Sequence, residues 1–215
     1  MAFSTTTNPL GTWLNRLVPS LPGITEESII EELKHVISDF SREGAPWQEV
    51  LKDIDVISGD PIVQLNPIDG ERKVLSVLDV WFDGQLMTPV SANTPDTGTS
   101  PSAPFMYTCE GDPSTLILKP TPNADYPAAL QVLAILEPVN SEQCLPTLYA
   151  TQHFEAVYNG VMAYFTLQPN SPVYDTKQAI YYAKKYRQRT KRAWSIANRG
   201  YTQGATRWAF PFFGR

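Results

Sequence analysis

Histidine and cysteine, two residue types that often carry acid–base or metal chemistry, are scarce in this chain. The 215 residues include two histidines, His35 and His153, and two cysteines, Cys109 and Cys144. Histidine titrates near neutral pH and is the commonest metal ligand, so its scarcity limits both kinds of chemistry. Two cysteines complete neither a disulfide framework nor a four-ligand zinc site. A single bridge stays open as an alternative, but we expect reduced thiols, as in a cytosolic assembly.

The remaining candidates for a catalytic or metal site are weak. His153 and Glu155 lack a second histidine at helical spacing, so we interpret His153 as a surface or core-edge residue. Asp53, Asp55 and Asp60 do not have the spacing of a calcium loop, and turn formation explains them better. Sequence motifs for nucleotide, dinucleotide, zinc-protease, serine-hydrolase and dithiol sites do not occur. We therefore predict a non-enzymatic protein without metal or cofactor, and an enzyme with a carboxylate-based site is the least favoured hypothesis.

Charge is distributed unevenly along the chain. Residues 1–172 carry seven basic and 21 acidic residues, a balance of -14. Residues 173–215 carry ten basic residues and one acidic residue, a balance of +9. Such asymmetry indicates binding to nucleic acid or to an oppositely charged protein surface. In a homo-oligomer, the basic end of one copy could also face the acidic body of the next copy.

A basic helix is predicted from Asp175 to about Asn198. Asp175 and Gln178 form a capping-box pattern at its start. Small residues and Tyr186 recur every three or four positions, which predicts a narrow seam against another helix. The opposite side carries a basic face that we interpret as a subunit or DNA contact. Its residues are Lys177, Lys184, Lys185, Arg187, Lys191 and Arg192.

The chain ends in an apolar segment, YTQGATRWAFPFFGR, which spans residues 201–215. Chain termini are normally polar, and exposed apolar segments often mark partner surfaces. We therefore predict an extended tail that docks into another protein, with packing against the chain's own core as the alternative. The candidate docking residues are Arg199, Tyr201, Arg207, Trp208, Phe210, Phe212, Phe213 and Arg215.

Hydrophobic periodicity predicts the elements that must position these surfaces. An amphipathic helix capped by Thr25 spans 25–42, and short antiparallel strands form a meander from about 53 to 138. A polar stretch over 90–104 is predicted to be a long exposed loop. Helices return from 146, where Gly160 is the weak point of a broad apolar face. No apolar run is long enough to cross a membrane, and no secretory signal is expected at the N-terminus.

The predicted fold class is α+β. A helical bundle, made of the N-terminal helix and two C-terminal helices, carries an inserted antiparallel β-strand module and an extended aromatic C-terminal tail. The predicted parts are the N-terminal helical part of the bundle (1–50), the β-rich inserted module (51–140), the C-terminal helices (141–198) and the docking tail (199–215).

This order of elements resembles the head-to-tail adaptor proteins of short-tailed bacteriophages, of the tail tubular protein A type. The resemblance covers about 25–200 as a pattern rather than as a specific fingerprint. Three stretches carry it: helix 25–42 leading into KVLSV at 73–77 with the Asp83-Gly84 turn, the strand LILKPTP at 116–122, and the basic helix YAKKYRQRTKRAWSIANRG at 182–200.

The resemblance implies a virion structural protein of the phage neck, assembled in the host cytoplasm, without catalysis or membrane association. Such adaptors form a ring, with twelve copies expected, below the portal protein. The C-terminal segment would dock into the portal, and the β module would face the tail nozzle or neighbouring subunits. DNA would pass through the ring without sequence-specific binding. The alternative is a nucleic-acid-binding module that uses the basic C-terminal helix.

Overall fold

Helices flank a strand-rich middle region in the computed structural model, which describes residues 7–65, 72–94, 103–139 and 144–199. The fold is α+β, as predicted. Within the described ranges the helices are α1 (Leu10–Leu17), α2 (Glu26–Gly44), α3 (Thr147–Thr151), α4 (Phe154–Leu167) and α5 (Thr176–Arg199), with a short 3₁₀ helix over Val18–Ser20. The strands are β1 (Thr7–Pro9), β2 (Gln48–Val56), β3 (Ile62–Gln64), β4 (Arg72–Phe82), β5 (Gln85–Leu86), β6 (Thr88–Pro89), β7 (Met106–Cys109), β8 (Thr115–Lys119), β9 (Tyr126–Pro138) and β10 (Cys144–Pro146).

Helix α2 begins where its sequence signals place it. The side chain of Thr25 accepts a hydrogen bond from the backbone N–H of Ser28, which satisfies a donor that the first turn leaves free. The helix buries an apolar face that includes Ile29, Leu33 and Phe40. It continues two residues beyond the predicted end at Arg42, and it stops at Ala45, whose left-handed φ of 44° ends the helical hydrogen bonding.

The strands form two four-stranded sheets and one isolated pair in the described part of the chain. The first sheet has the order β2-β9-β4-β5 and is antiparallel throughout. The second sheet has the order β3-β8-β7-β6, in which β6 and β7 run parallel. Strands β1 and β10 pair with each other. Apolar residues of both larger sheets and of the helices belong to one buried cluster.

The predicted meander of short strands was wrong in two respects. Strand β9 has 13 residues and lies between β2 and β4, so it pairs far from its sequence neighbours. Strands β6 and β7 are parallel, which a meander excludes. Alternating apolar residues identify strands but do not choose their partners, because pairing depends on contacts distant in sequence. Strand β2 also begins at Gln48, before the predicted start of the strand region near residue 53.

The predicted helix from residue 146 is divided into α3 and α4, with Gln152 and His153 between them. Gly160, expected to weaken the apolar face of this segment, is instead a point of close approach. A Cβ atom at Gly160 would lie 2.5 Å from Val36 Cγ1 of α2 and 3.1 Å from Tyr186 Cδ2 of α5. Glycine is therefore what allows α2, α4 and α5 to meet at this position.

The helices join the first sheet at one end of β9. Ser38 of α2 donates a hydrogen bond to the Glu137 carboxylate at 3.1 Å. Leu136 donates its backbone N–H to the carbonyl of Trp47 at 2.9 Å, just after α2 ends. The opposite end of β9, which begins at Tyr126, is therefore remote from these helical contacts. None of the described helices is both long and apolar enough to cross a membrane.

Candidate interaction surface on the C-terminal helix

Helix α5 is fixed at its start by Asp175. The Asp175 carboxylate accepts hydrogen bonds from the backbone N–H groups of Lys177 at 2.8 Å and Gln178 at 3.1 Å. These bonds confirm Asp175 as the helix cap. The reciprocal half of the predicted capping box is replaced, because the Asp175 N–H donates to the carbonyl of Thr166 in α4. This bond joins the end of α4 to the beginning of α5.

The inner side of α5 is the narrow seam that the sequence predicts. Ala179, Thr190 and Ala193 are buried, and they recur along one side of the helix. A Cβ atom added to Gly44 would lie 3.4 Å from the Cβ of Ala193, so the end of α2 approaches α5 closely. Small residues on both helices permit this approach.

The outer side of α5 is both basic and apolar. We define the α5 stripe as Ile180, Lys184, Arg187, Lys191 and Trp194, which follow one another at intervals of four and three positions. Ile180 is 65% exposed and Trp194 is 55% exposed. Two large exposed apolar side chains at the ends of a basic row make this stripe the candidate contact surface of the helix.

The six residues of the predicted basic face lie on this outer side. Lys177, Lys184, Arg187, Lys191 and Arg192 are exposed, whereas Lys185 is half-buried with its Nζ 5.5 Å from the centre of the Tyr181 ring. None of these six side chains forms an ion pair with a described residue. Their positive charges therefore have no direct ionic partner among the described residues.

The sequence analysis missed one residue of the stripe, Ile180. It also left Arg189 out of the basic face, and the structure shows why. Ile180 was not singled out, although its spacing from Lys184 and Arg187 would have placed it there. Arg189 lies away from the stripe and forms an ion pair with Glu155 of α4.

A groove runs beside the stripe where α5 passes the end of α2. Its volume is about 650 Å³. The lining residues are Glu43, Arg187, Thr190, Lys191, Trp194 and Ser195. Three stripe residues thus form one wall of a concavity, and concave apolar surfaces with a few polar groups are typical of binding sites.

A second cavity lies on another side of α5, near the start of α4. It has a volume of about 320 Å³ and is lined in part by His153, Arg189 and Arg192. Burial lowers the pKa of His153, which favours its neutral imidazole, and the centre of its ring lies 5.2 Å from that of Phe40. These contacts agree with the interpretation of His153 as a core-edge residue.

Aspartates gather at the end of the first sheet that is remote from the helices. We define the acidic end as Asp53, Asp55, Asp60, Asp83 and Asp125. The Asp55 carboxylate accepts the backbone N–H of Ala128 at 2.8 Å, and Asp125 accepts that of Ser58 at the same distance. The N–H of Asp83 donates to the Ala129 carbonyl, which brings a third aspartate to the start of β9.

The acidic end was only partly predictable. Asp60 accepts the backbone N–H of Ile62 two residues on, which agrees with the predicted turn-forming role. The grouping with Asp83 and Asp125 was missed, because it depends on β9 lying between β2 and β4. Among the described residues, no group of His, Cys, Asp and Glu side chains has the arrangement of a metal site. Cys109 is a free thiol.

Most of the predicted docking tail lies outside the described residues. Arg199 is the last residue of α5. Tyr201, Arg207, Trp208, Phe210, Phe212, Phe213 and Arg215 fall beyond the described ranges. Of the predicted loop at 90–104, the structure describes the two ends. At its start, Lys119 Nζ donates to the carbonyls of Ala92 at 3.0 Å and Thr94 at 2.5 Å.

No protein-family model matches this sequence, and a search of curated proteins finds no significant match.

Proposed function

We propose that this protein is a virion structural protein, a head-to-tail adaptor that forms a ring between the portal and the tail of a short-tailed bacteriophage. The observation that carries the proposal is the outer face of α5. This face combines basic residues that form no ion pair with a described residue and the exposed side chains of Ile180 and Trp194, and in sequence the helix precedes the aromatic segment 201–215. A helix with a partner-binding face, followed by an apolar tail, is consistent with a protein that functions in assembly.

The arrangement of the helices is consistent with this proposal. Helices α2, α4 and α5 meet at Gly160 and would form the bundle of the adaptor, with the sheets inserted between α2 and α4 in the chain. The sheets would then face the tail nozzle or a neighbouring subunit, and DNA would pass through the ring. The resemblance described above supplies the ring and its expected twelve copies.

The tail would anchor each copy to the portal. Burial of its five aromatic side chains favours docking, and the entropy lost in ordering the segment opposes it. A preformed groove on the portal reduces that loss, because only the tail must then be ordered. Many tails on one ring bind together, so weak individual docking yields a durable joint.

Native mass spectrometry of the purified protein, alone and mixed with the portal ring encoded by the same genome, tests the proposal. We expect a single copy alone and a stoichiometric ring of copies on the portal. A variant with Trp208→Ser, Phe210→Ser, Phe212→Ser and Phe213→Ser should lose portal binding and keep its melting temperature. The matched control, Tyr164→Ser, removes an exposed aromatic on α4 and should bind normally. Absence of wild-type binding to the portal would refute the adaptor assignment.

A nucleic-acid-binding module is the second candidate. Tyr181 is 56% exposed and lies with Trp194 among the lysines of α5, so two aromatic rings are available for stacking. In this case duplex or single-stranded DNA should bind with an affinity that falls steeply with salt. The substitutions Lys184→Ala, Lys185→Ala, Lys191→Ala and Arg192→Ala should weaken that binding. A gel shift at low salt measures it, and no shift by the wild type would eliminate this candidate.

A further inference from the structure

The basic side chains of the α5 stripe have no ionic partner among the described residues. Helix α5 packs against α4 and α2 through its inner side, whereas the stripe is exposed and borders the groove that Glu43 of α2 also lines. Lys184, Arg187 and Lys191 form no ion pair with a described residue. A surface with this composition is complemented by one that is acidic and carries exposed aliphatic side chains.

The acidic end of the first sheet has that composition. Asp53 and Asp83 make no side-chain hydrogen bond to any described residue, so both carboxylates are available. Ile57 is 62% exposed beside Asp55, and Leu86 is 63% exposed beyond the Asp83 turn. Exposed aliphatic and acidic side chains thus occur together here, as two exposed apolar side chains flank three basic ones along the stripe.

The two surfaces also agree in size. Fourteen residues separate Ile180 from Trp194, which is about 21 Å along a helix. The ends of β2, β9 and β4, with β5 beside them, span about 15 Å at the usual distance between strands. The acidic end can therefore cover most of the stripe.

One copy is not arranged to bring its own two surfaces together. The helices contact β9 near Glu137, whereas the acidic end surrounds the start of β9 at Tyr126, about 35 Å away along an extended strand. The complementary surfaces therefore meet between copies. Because they are different surfaces, the contact is head-to-tail, and such a contact forms a closed ring when the rotation between copies allows it.

We infer that the α5 stripe of one copy packs against the acidic end of the next copy. This inference rests on the proposed ring and adds the subunit interface that builds it. The occupant of the stripe is thus a second copy of this chain, held by charge complementarity around the apolar pairs that Ile180 and Trp194 make with Ile57 and Leu86.

A charge-swap experiment tests the interface. The stripe variant carries Lys184→Glu, Arg187→Glu and Lys191→Glu. The acidic-end variant carries Asp53→Asn, Asp83→Asn, Ile57→Lys and Leu86→Lys. Asparagine is chosen because Asp53 and Asp83 have φ values of 58° and 48°, which asparagine tolerates well. A third protein combines both sets, and thermal melting checks that each variant folds.

Ring formation on the portal is measured. Self-association without the portal is measured separately at high protein concentration and low ionic strength, where the single copies expected in dilute solution should associate. Each single variant brings like charges together and should assemble at least about tenfold less than wild type. An equimolar mixture of the two should recover assembly, because opposite charges then alternate around the ring. The combined variant should also recover it. Glu31→Lys, an exposed charge reversal on α2 outside both surfaces, is the control and should assemble normally.

Two results would overturn the inference. The first is normal assembly of the folded stripe variant, and loss of DNA binding in that variant would then assign the stripe to nucleic acid. The second is failure of the mixture and of the combined variant to recover. Failure of the adaptor proposal has a different signature: wild type does not bind the portal, while self-association of the protein alone still reports whether the two surfaces meet.

Discussion

Helices α4 and α5 are neighbours in sequence and in space, yet they differ in nearly every property. Helix α4 buries eight of its 14 residues and carries one charged residue, Glu155. Helix α5 has 24 residues, buries Ala179, Thr190 and Ala193, and exposes most of its lysines and arginines. These differences indicate a division of roles. Helix α4 stabilises the fold through its packing, whereas α5 packs through a narrow row of small residues and leaves its outer side available for partners.

The strongest test of this division compares an aromatic residue from each helix. Phe165 of α4 is 4% exposed, and Phe165→Ala should lower the free energy of unfolding by about 3–5 kcal/mol. Trp194 of α5 is 55% exposed, and Trp194→Ala should change it by less than about 0.5 kcal/mol. Urea denaturation measures both. Similar losses for the two variants would contradict the division, and Trp194→Ala should instead reduce assembly.

A smaller effect is expected where the two helices meet α2. Gly160→Ala places a methyl group against Val36 and Tyr186 and should cost about 2 kcal/mol, because the short, β-branched Val36 has little freedom to move. Gly11→Ala in α1 is the matched control. Apart from its chain neighbours and its own helix backbone, no atom of the described residues lies within 4 Å of the added Cβ, so the better helix propensity of alanine should stabilise the protein slightly. Equal effects of the two substitutions would show that Gly160 is not a packing residue.

The smallest effect concerns a carboxylate on the face of α2 that also carries Val36 and Asp39. Burial, and secondarily the charge of Asp39, raise the pKa of Glu32 from 4.5 to about 7. Between these values the unfolded chain has released a proton that the folded protein retains, so the free energy of unfolding falls as the pH rises. The Glu32→Gln variant has no ionisable group at this position, so its free energy of unfolding should lack this decrease with rising pH.

The melting temperature of Glu32→Gln should therefore exceed that of wild type at a pH above 7, and the difference should shrink at a pH below 4.5. Glu31→Gln, an exposed substitution on the next residue, should show no such trend and serves as the control. A pH-independent difference for Glu32→Gln would mean that the substitution acts through packing rather than through ionisation.

Features that depend on local chemistry were predictable from the sequence. Thr25 and Asp175 cap their helices because a side-chain oxygen satisfies N–H groups only two or three residues away. The two sides of α5 follow from helical periodicity alone. The α+β class follows from the change of period between residue 42 and the strands.

Features that depend on distant partners were not predictable. The role of Gly160 requires Val36, which lies in another helix far back in the sequence. The acidic end requires the end of β2 and the turn after β4 to meet the beginning of β9. Local sequence patterns do not specify such pairings, so the acidic end could be identified only from the structure.

The position of β9 has a consequence for the order of folding. It is the last strand of its sheet in the chain, yet it lies between β2 and β4, and Gln48 pairs with Ile135. Closing the long loop between β2 and β9 costs conformational entropy before stabilising contacts form, which slows folding. During translation, β2 and β4 cannot pair with β9 until the segment from Tyr126 onward has left the ribosome. Nascent chains are thus held in an incomplete state for most of their synthesis, and β9 sets the moment at which the first sheet closes.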